Sequence, residues 1–183
     1  PLNTFRYSKT TIDKTLIVYR MKWIKIILKT IIVILLQVTL FDRLHIQGWG
    51  YPMVYILLLF SMPLLYPQWL EMIIGAFIGL IMDIFCNSLG VHIAACVALT
   101  YLRPIILKKL VQDIERIKTD INSKSIGIGA YVKYITLLTF CHHFMIFGLE
   151  AWNFQNWDLI LIQTACSSVL TILLLLIYNL VRK

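Results

Sequence analysis

Residues 71–83 read Glu71 Met72 Ile73 Ile74 Gly75 Ala76 Phe77 Ile78 Gly79 Leu80 Ile81 Met82 Asp83, an apolar run carrying Glu71, Gly75, Gly79 and Asp83 at four-residue spacing. In an α-helix those four positions stack on one face, so two glycines open a groove bounded by an acid at each end. Such a face is not made for lipid. A carboxylate near the hydrocarbon of a bilayer costs roughly 2.5–3.5 kcal/mol on insertion scales, and glycine brings no apolar area to offset it, so the face must meet protein or water.

The chain around this stripe makes the bilayer the relevant solvent. Of 183 residues, 60% are hydrophobic and 14% charged, with a mean hydropathy of +0.81; a soluble domain carries about 25% charged residues. The composition predicts an all-α integral membrane protein. No Gly/Ser-rich or Pro-rich linker and no internal repeat divides it, so one transmembrane domain is expected over 21–183.

Six spans are expected, at about 23–41, 51–66, 69–86, 91–107, 127–149 and 159–180. The second is short, and Pro52 and Pro63 make its helix less regular; a 16-residue helix rises about 24 Å against a hydrocarbon core near 30 Å. If that segment were re-entrant, five spans would remain and the termini would lie on opposite sides. Charge favours six spans with both termini cytoplasmic: of 17 lysines and arginines, all but Arg43 then fall on the inner side or at inner span ends. The net charge of +8 is thus read as topology and contact with anionic lipid, not nucleic acid. The tryptophans Trp23, Trp49, Trp69, Trp152 and Trp157 fall at span ends, where an indole sits at headgroup level.

Residues 1–20 are polar and precede Met21, so they read as a cytosolic tail or a misassigned start. The first span lacks a small-x-small cleavage site and reads as an anchor. Between 108 and 126, Leu110, Ile114, Ile117 and Ile121 recur at helical period among mixed charges, which predicts an interfacial amphipathic helix.

Reactive chemistry has little footing. Cys86, Cys96, Cys141 and Cys166 are scattered singly and read as apolar thiols. His142 and His143 point about 100° apart on a helix, which suits two separate hydrogen bonds better than one metal ion, and His45 and His92 have no ligand-spaced partner. No nucleophile elbow or phosphate-cradling glycine loop occurs. No catalytic residue, metal or cofactor is expected. Gln37 and the run Thr164, Ser167, Ser168 and Thr171 read as interhelical hydrogen-bonding fasteners. Glu71 starts near the cytoplasmic surface and reads as wetted, whereas Asp83 lies at depth.

The run Gly75 to Asp83, followed by Leu89, Gly90 and Ala94, resembles the GxxxGLxxD and LGxxxA pattern of the rod shape-determining MreD family. Gln37 before Phe41, Pro52 opening the second span and Arg103 with Pro104 closing the fourth suit the same family. The resemblance covers 21–183. It implies a six-helix bundle similar to the substrate-binding subunits of energy-coupling-factor transporters. It further implies a non-enzymatic scaffold in the bacterial inner membrane, within the cell-elongation, peptidoglycan-synthesising complex. Its implied partners are MreC, the actin-like MreB, the glycosyltransferase RodA and a class-B penicillin-binding protein. Asp83 and Gly90 would then help form a central cleft or the MreC contact. Topology alone makes Arg43 or His92, on the outer side, the candidate cation for Asp83. The alternatives are a solute-binding transporter subunit, which needs a roomy polar pocket near Asp83, His92 and 42–51, and a membrane enzyme.

Overall fold

The computed structural model describes residues 9–44, 49–64, 66–112, 117, 121–151 and 156–181. Its elements are helices, in the order α1 (Lys9–Thr39), a 3₁₀ turn (Phe41–Arg43), α2 (Ile56–Phe60), α3 (Gln68–Cys86), α4 (Val91–Leu110), α5 (Ser123–Ile126), α6 (Ile128–Glu150) and α7 (Trp157–Val181). Among the described residues five helices are long and apolar enough to cross a membrane: α1, α3, α4, α6 and α7. The protein is an all-helical, multi-pass membrane protein.

The expected span over 51–66 is not a regular helix. Residues 51–53 have no regular secondary structure, 54–55 form a turn, and helix is found only for the five residues of α2. Pro52 and Pro63 explain the break: each lacks an N–H, its ring collides with the carbonyl four residues back, and the residue before it is pushed out of the α region. Backbone left unpaired at membrane depth must be satisfied by protein, and here two helices do it. On one edge, the amides of Tyr51 and Met53 donate to Ser167 Oγ (2.9 Å) and Thr171 Oγ1 (3.0 Å) of α7. On the other, Gln37 of α1 donates to the Pro52 carbonyl (3.2 Å) and accepts from the Val54 amide (2.6 Å). Alternate amides of this non-helical stretch thus reach hydroxyls four residues apart on one face of α7. The segment still travels the length of the bundle: Tyr55 meets His142, whereas Phe60 stacks edge-on against Tyr134 and the Met62 carbonyl meets Arg103.

The core lies between this buried segment and α3, α4, α6 and α7, with Tyr55, Ile56, Leu59, Leu99, Tyr134 and Leu138 inside it. Helix α1 is peripheral. It leaves Ile24, Ile27, Leu28, Ile31, Leu35 and Leu36 exposed, an apolar band suited to hydrocarbon. Besides Gln37, it is held by Lys29, whose ammonium donates to Ser61 Oγ (2.8 Å) and lies 5.2 Å from the centre of the Tyr178 ring.

Helical structure in α1 begins at Lys9, inside the stretch read as a polar tail, while residues 1–8 lie outside the described residues. The expected interfacial helix over 108–126 falls largely on 113–116 and 118–120, also outside the described residues. At its edges α4 runs on to Leu110, and α5 is a four-residue helix whose capping box joins Asn122 and Ser125. Ile121 of that expected apolar stripe is buried. His45 and Trp152 lie outside the described residues, whereas Trp49, Trp69 and Trp157 are exposed.

Candidate functional site

The α3–α4 hairpin organises the site. Helix α3 ends on Asn87 in the left-handed region, and α4 starts from Gly90 at φ +81°, a conformation that a side chain disfavours. With so short a turn the two helices must run back antiparallel, which fixes their register. Asp83 and His92 each lie four residues from the Asn87–Ser88 turn, Gly75 and Thr100 each twelve, and Glu71 and Arg103 sixteen and fifteen. These are the residues that meet.

Asp83 caps the start of α4 from the neighbouring helix. Its Oδ1 accepts the His92 amide (2.9 Å) and its Oδ2 the Ile93 amide (3.0 Å). The first amides of a helix have no partner within it, and the N-terminal end of the dipole favours an anion. Ser88 Oγ donates to the same carboxylate at 2.5 Å, and His92 Nδ1 lies 3.1 Å from Oδ1. His92 is therefore the partner of Asp83; Arg43, the other candidate, is exposed and joins neither of the two ion pairs among the described residues.

Gly79 and Gly75 bring the helix backbones together. A Cβ on Gly79 would come within 2.6 Å of the His92 carbonyl oxygen and Ile93 Cα; on Gly75 it would meet Thr100 Cγ2 at 3.0 Å and the Cys96 carbonyl at 3.1 Å. The stripe is a contact face along its whole length.

Its far end corrects the expectation of a wetted Glu71. The carboxylate is buried and accepts from Arg103 Nη1 at 2.8 Å. The Arg103 Nε donates to Tyr134 Oη (3.0 Å) and Nη2 to the Met62 carbonyl, which is open because α2 has already ended at Phe60. A guanidinium at this depth requires an anion and acceptors for its remaining N–H groups, and three elements converge to supply them. The missed partners had a signal in the turn position, which sets Glu71 opposite Arg103.

A second polar layer crosses the bundle. Tyr55 Oη lies 2.7 Å from His142 Nε2, while His143 Nδ1 donates to the Thr139 carbonyl (2.8 Å) and its Nε2 lies 3.3 Å from Thr171 Oγ1. The adjacent histidines thus serve different partners.

Above this layer, at the end of the bundle that bears the α3–α4 turn, a cavity of about 330 Å³ opens. Gln37, Pro52, Tyr55 and His92 line its depth, and Asp42 and Glu150, both exposed, stand at its mouth. Asp42 opens the loop 42–51 beside which a solute-binding subunit would need its pocket, whereas Glu150 has no signal in the sequence, since acids at span ends are ordinary; the fold sets the two around one opening. Of the residues expected to matter, Gln37, Pro52 and Asp83 gather near this cavity, and Gly75, Gly79 and Gly90 shape the seam beside it. Arg103 sits apart, at the opposite end.

No family model, curated protein or solved structure matches this chain.

Proposed function

We propose that this chain is a non-enzymatic scaffold of the MreD type, a bacterial inner-membrane subunit of the cell-elongation complex that organises peptidoglycan synthesis, with both termini cytoplasmic. The observation that carries the reading is the α3–α4 seam. The residues on which the resemblance rests, Gly75, Gly79, Asp83 and Gly90, each have a structural task there: close approach, helix capping or turn geometry. Arg103 is consumed in the same way by Glu71, Tyr134 and the Met62 carbonyl. A rigid bundle with a peripheral, apolar α1 suits a protein whose work is to hold others, and α1 offers its exposed band to a partner's transmembrane helix.

In this reading the partners are an MreC-like protein, a RodA-like glycosyltransferase, a class-B penicillin-binding protein and MreB, together with membrane lipid. Copurification from native membranes is the test. Recovery of MreC-like and RodA-like proteins is expected, and their absence under conditions that preserve other membrane complexes would reject the scaffold. Asp83→Asn should weaken that assembly; unchanged assembly and cell shape would remove Asp83 from any role in it.

One observation favours a second reading, the substrate-binding subunit of a small-solute transporter. The cavity at the Asp83–His92 end has the size and mixed lining such a subunit requires. A fold similar to the energy-coupling-factor binding subunits belongs to both readings. Recovery with an energising ATPase pair in place of the elongation proteins would favour the second.

A further inference from the structure

We propose that the cavity at the turn end of the bundle binds a small organic cation, an alkylammonium or guanidinium group held by the carboxylates of Asp42 and Glu150 beside the rings of Tyr51 and Phe147, above His92. The inference concerns what the cavity holds and stands under either reading of the protein's function.

The lining is rich in acceptors and contains no lysine or arginine. Asp42 and Glu150 both border the cavity, and neither joins an ion pair among the described residues. The sequence leaves few basic residues to meet them: Arg43 is the sole lysine or arginine between 30 and 102, and none occurs between 134 and 181. Two carboxylates facing one opening repel each other, and a cation between them relieves that cost.

His92 points the same way from below. The side chain is buried, and its Nδ1 is engaged by Asp83 Oδ1 at 3.1 Å and Ser88 Oγ at 2.9 Å. With Ser88 donating to Asp83, an Nδ1–H shared between the two oxygens satisfies all three groups and leaves Nε2 as a lone-pair acceptor. Nε2 has no hydrogen-bond partner among the described residues, although His92 lines the cavity. His92 is only 4% exposed, and an acceptor left open only toward the cavity is placed to receive an N–H from an occupant.

Aromatic walls decide between an organic and an inorganic cation. Tyr51 and Phe147 border the cavity, with the fully buried Tyr55 beneath them, and aromatic rings attract ammonium and guanidinium groups through the ring quadrupole. A hard metal ion instead needs several oxygen ligands converging on one point, and no cluster of three His, Cys, Asp or Glu side chains able to hold a metal is present among the described residues. A volume of about 330 Å³ lies at the small end of ligand pockets, so the occupant is a small molecule or one basic side chain of a partner polypeptide.

The test uses the full chain in lipid nanodiscs, with ligand-observed NMR and thermal shift as readouts. Four probes suffice: choline, its neutral isostere 3,3-dimethylbutan-1-ol, agmatine, and a blocked Gly-Arg-Gly tripeptide. At least one cationic probe should bind, the neutral isostere should bind at least about tenfold more weakly than choline if choline binds, and Asp42→Asn and Glu150→Gln should each weaken binding about tenfold. Binding of a free cation identifies a solute site; binding of the tripeptide alone identifies a socket for a partner's basic side chain. Glu150→Lys, which puts an ammonium into the mouth, should abolish binding while helicity and gel-filtration behaviour stay unchanged. The proposal is overturned if no cationic probe binds at about 10 mM, if choline and its neutral isostere bind alike, or if the double variant D42N/E150Q binds as the parent does.

Discussion

Glu71 and Arg103 meet at 2.8 Å inside the bundle, at the opposite end of the α3–α4 seam from Asp83 and His92, which meet at 3.1 Å. Both contacts join the same two helices, so the hairpin is fastened at each end and held close between them by Gly75 and Gly79.

Removing one member of the Glu71–Arg103 pair leaves the other charged, buried and unpaired. Glu71→Gln or Arg103→Met is expected to cost about 3–5 kcal/mol. The double variant E71M/R103L leaves only neutral Met62 and Tyr134 oxygens without a donor, at about 1–3 kcal/mol, and should be more stable than either single variant. Denaturation of the purified protein in mixed micelles measures all three.

Gly79→Ala and Gly75→Ala should separate clearly. At Gly79 the new methyl meets backbone, which cannot swing away, and overpacking of this kind costs about 1–3 kcal/mol. At Gly75 the contacts are looser, 3.0 Å to Thr100 Cγ2 and 3.1 Å to the Cys96 carbonyl, and the helix gains up to about 1 kcal/mol from alanine, so the change should cost less than at Gly79. Equal melting temperatures for the two variants would contradict the close approach at Gly79.

Asp83→Asn keeps one oxygen but turns an amide N–H₂ toward groups that donate. A loss of about 1–2 kcal/mol is expected, as for a lost helix cap. Hydrogen exchange should accelerate at the His92 and Ile93 amides before it does at the middle of α4.

Gln37→Leu is nearly the same size and suits an apolar helix, yet it should destabilise the protein. It strips the acceptor from the Val54 and Tyr55 amides and the donor from the Pro52 carbonyl, each buried orphan costing about 1–3 kcal/mol. A cysteine introduced at Val54 should become reactive to a water-soluble maleimide in the Q37L background and stay protected in the parent.

Regular helices were legible because long apolar runs have one solution in a bilayer. Helix α3 lies close to its expected span, α6 is displaced by one residue, and α4 and α7 extend slightly beyond theirs. The Glu71–Arg103 contact was also within reach, since the Asn87–Ser88 turn determines which residues face each other. Treating Glu71 by its own depth alone obscured it. The non-helical stretch over 51–55 was harder. Pro52 and Pro63 warned of an irregular helix, but the groups that make the alternative affordable are Gln37, Ser167 and Thr171, as many as 118 residues away in the chain. Local pattern carries no trace of such partners. The same holds for the cavity mouth, where Asp42 and Glu150 come from opposite halves of the sequence.

The stitched segment has a mechanical consequence. Elsewhere in the bundle a helix can tilt or slide while keeping its own backbone bonds, but residues 51–54 borrow theirs from the first and last helices at once. A partner that tugs α1 aside by a single bond length draws Gln37 away from Pro52, Val54 and Tyr55, and these residues border or adjoin the cavity. Force on the outermost helix therefore reaches the chamber without travelling through the α3–α4 seam, so that the least buried of the five long helices is also the handle on the interior.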